Sequence, residues 1–259
     1  MTPPDNDRRA WLRAALAAPL GLGLAACERI TASQPVNRTL DSGETLTRRV
    51  QGMLAGPRAL AREFTPADIS KDFKANGTTA PDSDAYQALA AGGFADWKLE
   101  IGGLVERPLS LSLADLRAAP GRSQITRHDC VEGWSGIAQW RGARLGPLLA
   151  RAGLKPAARY IAFFCADTLE LTLDGSGDYY ETIAIADAFH PQTILAYEMN
   201  GAPLPVAHGA PIRLRLERQL GYKMAKYVMR IEAIDSFAKL GRGRGGYWED
   251  RGYQWYAGI

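Results

Sequence analysis

WKLEIGGLVERPLSLSLADLRAAP, residues 97–120, decides the class of fold. Trp97, Leu99 and Ile101 alternate with polar neighbours, the two-residue period of a strand with one buried face. Glu106-Arg107-Pro108 turns the chain. Ser112 then caps a short helix, with Asp115 three residues on in a capping-box position and Pro120 beyond the helix end.

The same short elements recur on both sides. Residues 84–94 read as a short helix closed by glycines. Residues 122–130 read as a strand that delivers Cys130 at its end. Residues 143–154 suit a helix and 158–167 a buried strand. Asn200-Gly201 between two apolar stretches signals a hairpin. In residues 211–217, Ile212, Leu214 and Leu216 face one way while Arg213, Arg215 and Glu217 face the other, and 225–237 reads as a further strand. Short strands mixed with short helices indicate an α+β domain with mixed sheets, not a parallel βαβ repeat.

The chain opens with DRRAWLRAALAAPLGLGLAAC, residues 7–27, in which the pair Arg8-Arg9 precedes an uncharged apolar run over residues 14–26. That run is 13 residues long, against the roughly 20 that a membrane-spanning helix needs. Leu24-Ala25-Ala26-Cys27 resembles a bacterial lipobox. Pair, run and lipobox in this order give the pattern of a twin-arginine lipoprotein signal. The expectation is a signal over residues 1–26, a tether over 27–60 and one domain over 61–259, periplasmic and lipid-anchored. Beyond the leader, 233 residues carry 28 basic and 26 acidic side chains. This near balance argues against a nucleic-acid partner. No other apolar run is long enough to span a bilayer, so membrane contact is expected only through the lipid.

With Cys27 assigned to the lipid, Cys130 and Cys165 remain. A disulfide between them is one reading in an oxidising compartment. Cys130 lies in RHDCVEGWSGIAQW, residues 127–140, where Arg127 and His128 could favour its thiolate. Such a thiolate acts as a nucleophile beside a histidine base, for which His128, His190 and His208 are candidates. As a zinc ligand it needs further ligands, and no CxxC or HxxxH spacing is present. It also suffices as the single protein ligand of a redox metal held mainly by an organic cofactor. Arg213, Lys223 and Lys226, with Gly209 and Gly221 permitting close backbone approach, form either a solvated basic face or a pocket for an anion.

Three stretches narrow the choice. CVEGWSGIAQWRGARLGPLL, LAYEMNGAPLPVAHGAPIRLRLERQLGYKMAKYV and GGYWEDRGYQWYAGI, in this order, resemble the molybdopterin-binding domain of the sulfite oxidase family. The resemblance is closest to the bacterial exported branch, which includes catalytic subunits of periplasmic protein-methionine-sulfoxide reductases. It runs from about residue 64 to the C-terminus, through C-x-E-x-W-S, N-G-x-P-L-P, H-G-x-P-x-R and G-Y-K-x-x-K. It implies a sulfite-oxidase-type α+β fold, molybdenum and molybdopterin as cofactors, and two-electron oxygen-atom transfer on a sulfoxide or sulfite-like substrate, small molecule or protein. Cys130 falls where the family places the thiolate ligand of the metal; His128, two residues before it, reads from its position as a donor to that site. His208 and Arg213 match positions that hydrogen-bond the pterin or its phosphate. Gly221 and Lys223 lead into Met224, Ala225 and Lys226, which match a segment that holds the cofactor. Phe73, Lys74, Ala75 and Asn76 resemble the N-terminal cofactor loop, and Cys165 falls near a further contact position.

Trp134, Trp140 and His190 read as packing, and the tail at residues 241–256 as a packed closure. No CxxCH haem motif is present, and 46 residues follow Arg213, too few for the dimerisation domain of true sulfite oxidases. Electrons are therefore expected to be exchanged with a membrane cytochrome b or a periplasmic c-type cytochrome. Two readings of another class stay open: a hydrolase or transferase using Cys130 as nucleophile, and a non-catalytic lipoprotein that binds a ligand or partner.

Overall fold

The computed structural model describes residues 59–173 and 177–259, with isolated positions 43, 46, 50 and 56 before them. The expected signal and most of the expected tether lie outside the described residues. Helix α1 (Asp84–Ala91) begins at Ser83, whose hydroxyl accepts the Tyr86 N–H at 3.3 Å. Strand β1 (Lys98–Gly103) buries Leu99 and Ile101 and exposes Lys98 and Glu100, as its alternation requires. β2 (Leu109–Ser112) returns antiparallel to it. Ser112 and Asp115 form the expected capping box of α2 (Leu113–Ala118).

β3 (Gly121–Asp129) and β4 (Ser135–Arg144) form a long antiparallel hairpin. Helix α3 (Leu145–Ala152) starts two residues later than the sequence suggests, because residues 143–144 still belong to β4. Gly153, with φ 73°, closes it in the left-handed conformation that favours glycine. β5 (Tyr160–Thr168) pairs with β6 (Asp178–Ala184), and a short helix α4 (Ile185–Ala188) leads to β7 (Ile194–Met199). Asn200 (φ 51°) and Gly201 (φ 79°) make the expected turn into β8 (Ala202–Pro203). β9 (Arg213–Arg215) and β10 (Val228–Ile234) complete the set.

These strands form two mixed-order sheets. One runs β2-β1-β10-β5-β6, with β1 and β10 parallel and the other pairs antiparallel. The other runs β3-β4-β7-β8, with β9 also paired to β7. The main core draws on both sheets and includes Leu99, Ile161, Phe163, Ile183, Leu214 and Ile231. Burying each such side chain contributes about 1.5–3 kcal/mol.

β4 and β6 have no counterpart in the sequence reading. The buried face of β4 includes Gly136, Ala138 and Gly142, and β6 buries Glu181 and Thr182, so neither shows an apolar alternation. In residues 211–217 both faces of the expected alternation are buried, which removes the solvated-face reading. Arg213, Arg215 and Glu217 do not face solvent; all three are buried. Their place in the fold is between β7 and the inward face of β3, which presents Gln124, Thr126 and His128. The free edge of β3 is covered by residues 63–64: Glu63 bridges Thr126, and the Phe64 N–H donates to Ile125 O at 2.8 Å. Gln192 fastens this segment through both backbone groups of Ala61, at 2.7 and 3.0 Å.

A Cβ on Gly142 would overlap the backbone of Leu195 on β7, whereas one on Gly102 would meet nothing within 4 Å. Gly142→Ala is expected to lower stability by about 1–3 kcal/mol, and Gly102→Ala to stay within about 0.5 kcal/mol. Urea denaturation of both variants checks the close approach of β4 and β7.

Candidate functional site

Cys130 is the first residue beyond β3. Its N–H donates to Trp134 O at 2.9 Å, and its carbonyl accepts the Gly133 N–H at 3.0 Å. This closes the β3–β4 turn and fixes the thiol direction. Cys130 and Cys165 are both free thiols, which removes the disulfide reading. Burial raises the Cys130 thiol above its usual value. The two expected cations do not counter this. Arg127 points outward to Asp129 at 2.9 Å. His128 is fully buried, and burial together with the Arg215 and Arg213 charges holds it neutral.

Arg215 Nη1 donates to His128 Nδ1 at 3.0 Å, which leaves the imidazole proton on Nε2. Arg215 in turn makes a two-point ion pair with Glu217, at 2.9 and 2.6 Å, and Gln124 donates to Glu217 at 2.8 Å. His128 Nε2 lies against the α-carbon of Gly221, where only a glycine leaves room. No histidine among the described residues hydrogen-bonds the Cys130 sulfur. The nucleophile reading loses both its base and its thiolate.

The thiol faces a cleft of about 680 Å³, counted to its open mouth. Asn76, Gly221, Met224 and Lys226 join Cys130 in its wall, as do Asp167 and Tyr179. Trp248 and Tyr253 from the C-terminal segment complete it, so the packed tail also contributes to the cleft wall. Lys226 Nζ donates to the carbonyls of Asn76 (2.7 Å), Ala207 (3.2 Å) and Thr78, which ties three segments together. Burial and the nearby Arg213 bring its ammonium down to about 7. Tyr227 follows with φ 53°, an unusual conformation for a bulky residue that turns the chain from Lys226 into β10.

Arg213 lies behind this wall. Gly209, with φ 109°, fits between the Lys226 and Arg213 side chains, where a Cβ would come within 2.9 Å of Lys226 Cβ. Arg213 is fully buried and donates only to backbone carbonyls, His208 O at 3.1 Å and Met224 O at 3.4 Å. Its guanidinium carbon is 5.2 Å from the Trp140 ring centre, and that of Arg215 is 4.3 Å away. Burial, then Arg215, pushes Arg213 down to about 9. Among the described residues no carboxylate pairs with it, and Arg213 Nε, His208 Nδ1 and His128 Nε2 have no hydrogen-bond partner.

Several sequence assignments change. Lys223 does not face the cleft. Its ammonium is buried between Glu181 and Glu249, at 2.5 Å from the latter, and donates to Thr182 O at 3.0 Å. Burial opposes its charge, but the two carboxylates outweigh this and raise it. Of residues 73–76 only Asn76 reaches the cleft. Phe73 packs among His128, His208, Trp134 and Trp140, at centroid distances of 5.6–6.1 Å. Lys74 is exposed and pairs with Glu132 at 3.2 Å, and Ala75 is half-buried outside the wall. Ala225 is buried, and its carbonyl accepts the Leu214 N–H at 2.8 Å. His190 is structural, its Nε2 3.1 Å from Ala59 O. Asp167, Thr78 and Tyr179 went unnoticed in the sequence. Asp167 follows a register slip between β5 and β6, where strand alternation stops being a guide.

The family model described as the oxidoreductase molybdopterin binding domain matches residues 87–239. YedZ1 of Azospira oryzae, provisionally named a protein-methionine-sulfoxide reductase subunit, is 36% identical over 97% of this chain and 87% of its own length. The protein-methionine-sulfoxide reductase catalytic subunit MsrP of Xanthomonas axonopodis is 34% identical over 59% of this chain and 49% of its own. The chain thus spans about half the length of that relative. Among solved structures, the sulfane dehydrogenase SoxCD of Paracoccus pantotrophus covers 70% of this chain and 46% of its own, with 22% identity and a TM-score of 0.49.

The residues present fit such a cofactor. Among the described residues no three His, Cys, Asp or Glu side chains converge on a metal position, so Cys130 offers a solitary soft ligand. The unpartnered donors of Arg213 and His208, with Lys226 nearby, suit an anion bearing a phosphate. The chain belongs to the family of oxidoreductases with a molybdopterin-binding domain, enzymes that carry molybdenum in molybdopterin.

Proposed function

We propose that this enzyme reduces sulfoxides by two-electron oxygen-atom transfer, outside the cytoplasmic membrane and tethered by lipid on Cys27. The observation that carries the site assignment is a buried thiol with no protein co-ligand among the described residues, near a desolvated arginine, Arg213, that no carboxylate pairs with. The direction of reaction is supported by the two relatives, one provisionally named a subunit and the other named the catalytic subunit of a protein-methionine-sulfoxide reductase. The arginine pair and lipobox motif support export, and exchange of electrons with a membrane cytochrome b or a periplasmic c-type cytochrome suits a site that holds no haem motif of its own.

Molybdenum held by molybdopterin supplies the two-electron couple when bound. Cys130 would ligate the metal and give up its proton on doing so, because a bound cation stabilises the thiolate that burial otherwise disfavours. Arg213 and His208, behind the wall, would favour the anionic part of the cofactor, and its negative charge would offset the burial that lowers Arg213 and Lys226. Lys226 holds the Asn76–Thr78 carbonyls at the wall. Tyr222, Trp248 and Tyr253 give the cleft wall aromatic surface, which disfavours water there.

Protein exported through its own leader should carry near-stoichiometric molybdenum and pterin. Cys130→Ser is expected to lose the metal and to lose activity by more than about 100-fold, beyond what second-layer contacts to a metal usually cost. Elemental analysis, pterin fluorescence, and assays of both sulfoxide reduction and sulfite oxidation check this. Iodoacetamide should label Cys130 only in metal-free protein, and a metal-free enzyme that still turned over would end the assignment.

The two lysines should separate cleanly. Lys226→Met is expected to weaken cofactor retention by about 10- to 100-fold. Lys223→Met strands two buried carboxylates and should instead cost about 3–5 kcal/mol of stability. Denaturation midpoints beside pterin content distinguish the two effects.

A further inference from the structure

Reduction of a sulfoxide consumes protons as well as electrons: the sulfoxide, two electrons and two protons give the sulfide and water. A side chain in the wall of the cleft can deliver the first of those protons as the S–O bond breaks, ahead of solvent. The polar side chains of that wall can be sorted by what already engages them.

Lys226 spends its hydrogen bonds on the carbonyls of Asn76, Thr78 and Ala207. The Tyr179 hydroxyl donates to Tyr222 O, and the Tyr222 hydroxyl donates to Gln254 O at 2.7 Å. Glu132 is exposed and holds both Lys74 (3.2 Å) and the Trp134 indole N–H (3.0 Å). Asp167 remains. It is 4% exposed, and its Oδ1 has no hydrogen-bond partner among the described residues. A buried carboxyl oxygen without a partner is costly, and its place in the wall beside Cys130 gives that cost a use.

Resting on the sulfoxide-reductase reading, we propose that Asp167 is the proton donor of the reaction, hydrogen-bonding the sulfoxide oxygen as a carboxylic acid and protonating it as the S–O bond breaks. The electron pair comes from the reduced cofactor, sulfur is reduced, and the oxygen leaves as water after a second proton arrives from solvent. Asp167 then takes a proton back from solvent through the mouth of the cleft.

The surroundings keep it suited to this task. Burial is the main influence and brings the carboxyl up to about 6. Its own backbone N–H, Lys226 and the Thr78 hydroxyl pull it down, and Asp178 of β6 pushes it up. Cys165 on β5, Tyr179 on β6, Tyr86 on α1 and Tyr227 before β10 also face it, and all four are pushed further toward their neutral forms. Lys226 is the one cation among these groups. A carboxyl balanced in this way is partly protonated near neutrality, where an acid catalyst is most effective.

The test uses exported, molybdenum-containing enzyme. The acid form is the donor, so wild-type kcat should be high below about pH 6 and fall as pH rises through it. Asp167→Asn should keep its molybdenum and pterin, lose about 100-fold or more in kcat, and lose that limb of the pH profile. Asp167→Glu should recover part of the rate and restore a limb. Independently of turnover, infrared difference spectra of the wild type should show a carboxylic-acid C=O band that titrates on the same limb and is absent in Asp167→Asn. An Asn variant with wild-type rate and pH profile overturns the proposal. So does one that loses molybdenum, which would make Asp167 a cofactor-holding residue, and so does a wild type without the titrating band. Wild-type protein lacking molybdenum and pterin would instead bring down the functional reading itself, and this proposal with it.

Discussion

A buried positive charge without a counter-ion governs the architecture of the site. Arg213 is wholly removed from water, lies over Trp140 beside a second guanidinium, and is met only by backbone carbonyls. Such a charge costs several kcal/mol to bury and persists only where the rest of the fold compels it. The compulsion is visible in β9, which is hydrogen-bonded to β7 and presses both faces into the interior. Arg215, two residues on, has its charge balanced by Glu217, so the fold neutralises one arginine with a carboxylate and leaves the other without one. The contrast within a single short strand marks the difference between scaffold and site.

The two lysines of the GYKMAK segment repeat that division. Lys223 is enclosed by Glu181 and Glu249, and the charge of the trio is settled inside the protein. Lys226, three residues later, faces the cleft with carbonyl partners only. Cys130 belongs to the same logic. Its thiol is kept protonated by burial and has no histidine to activate it, which suits a ligand awaiting a metal better than a nucleophile.

Much of this was legible in the sequence, for identifiable reasons. The capping box at Ser112 and the Asn200-Gly201 turn depend on local chemistry, and both formed where read. Cys130 at the end of β3 followed from strand alternation. β4 and β6 were invisible because glycine, alanine and buried polar residues occupy the faces where apolar side chains announce a strand. The motif order pointed to the cofactor segment as a whole but could not say which lysine faces it, since that depends on Glu181 and Glu249, far away in the chain. Asp167 was hidden by the register slip in β5, and Phe73 by a packing role that no local pattern encodes.

The segment laid along β3 has a consequence of another kind. An uncovered edge strand offers a row of unpaired N–H and C=O groups to any other chain, and proteins with such edges tend to aggregate or exchange strands. Here residues 63–64 occupy that edge, and Gln192 and His190 fasten the preceding residues to the body. The stretch leading into the domain therefore doubles as a seal. A protease cut just after it would leave the domain with an exposed strand able to recruit its own kind.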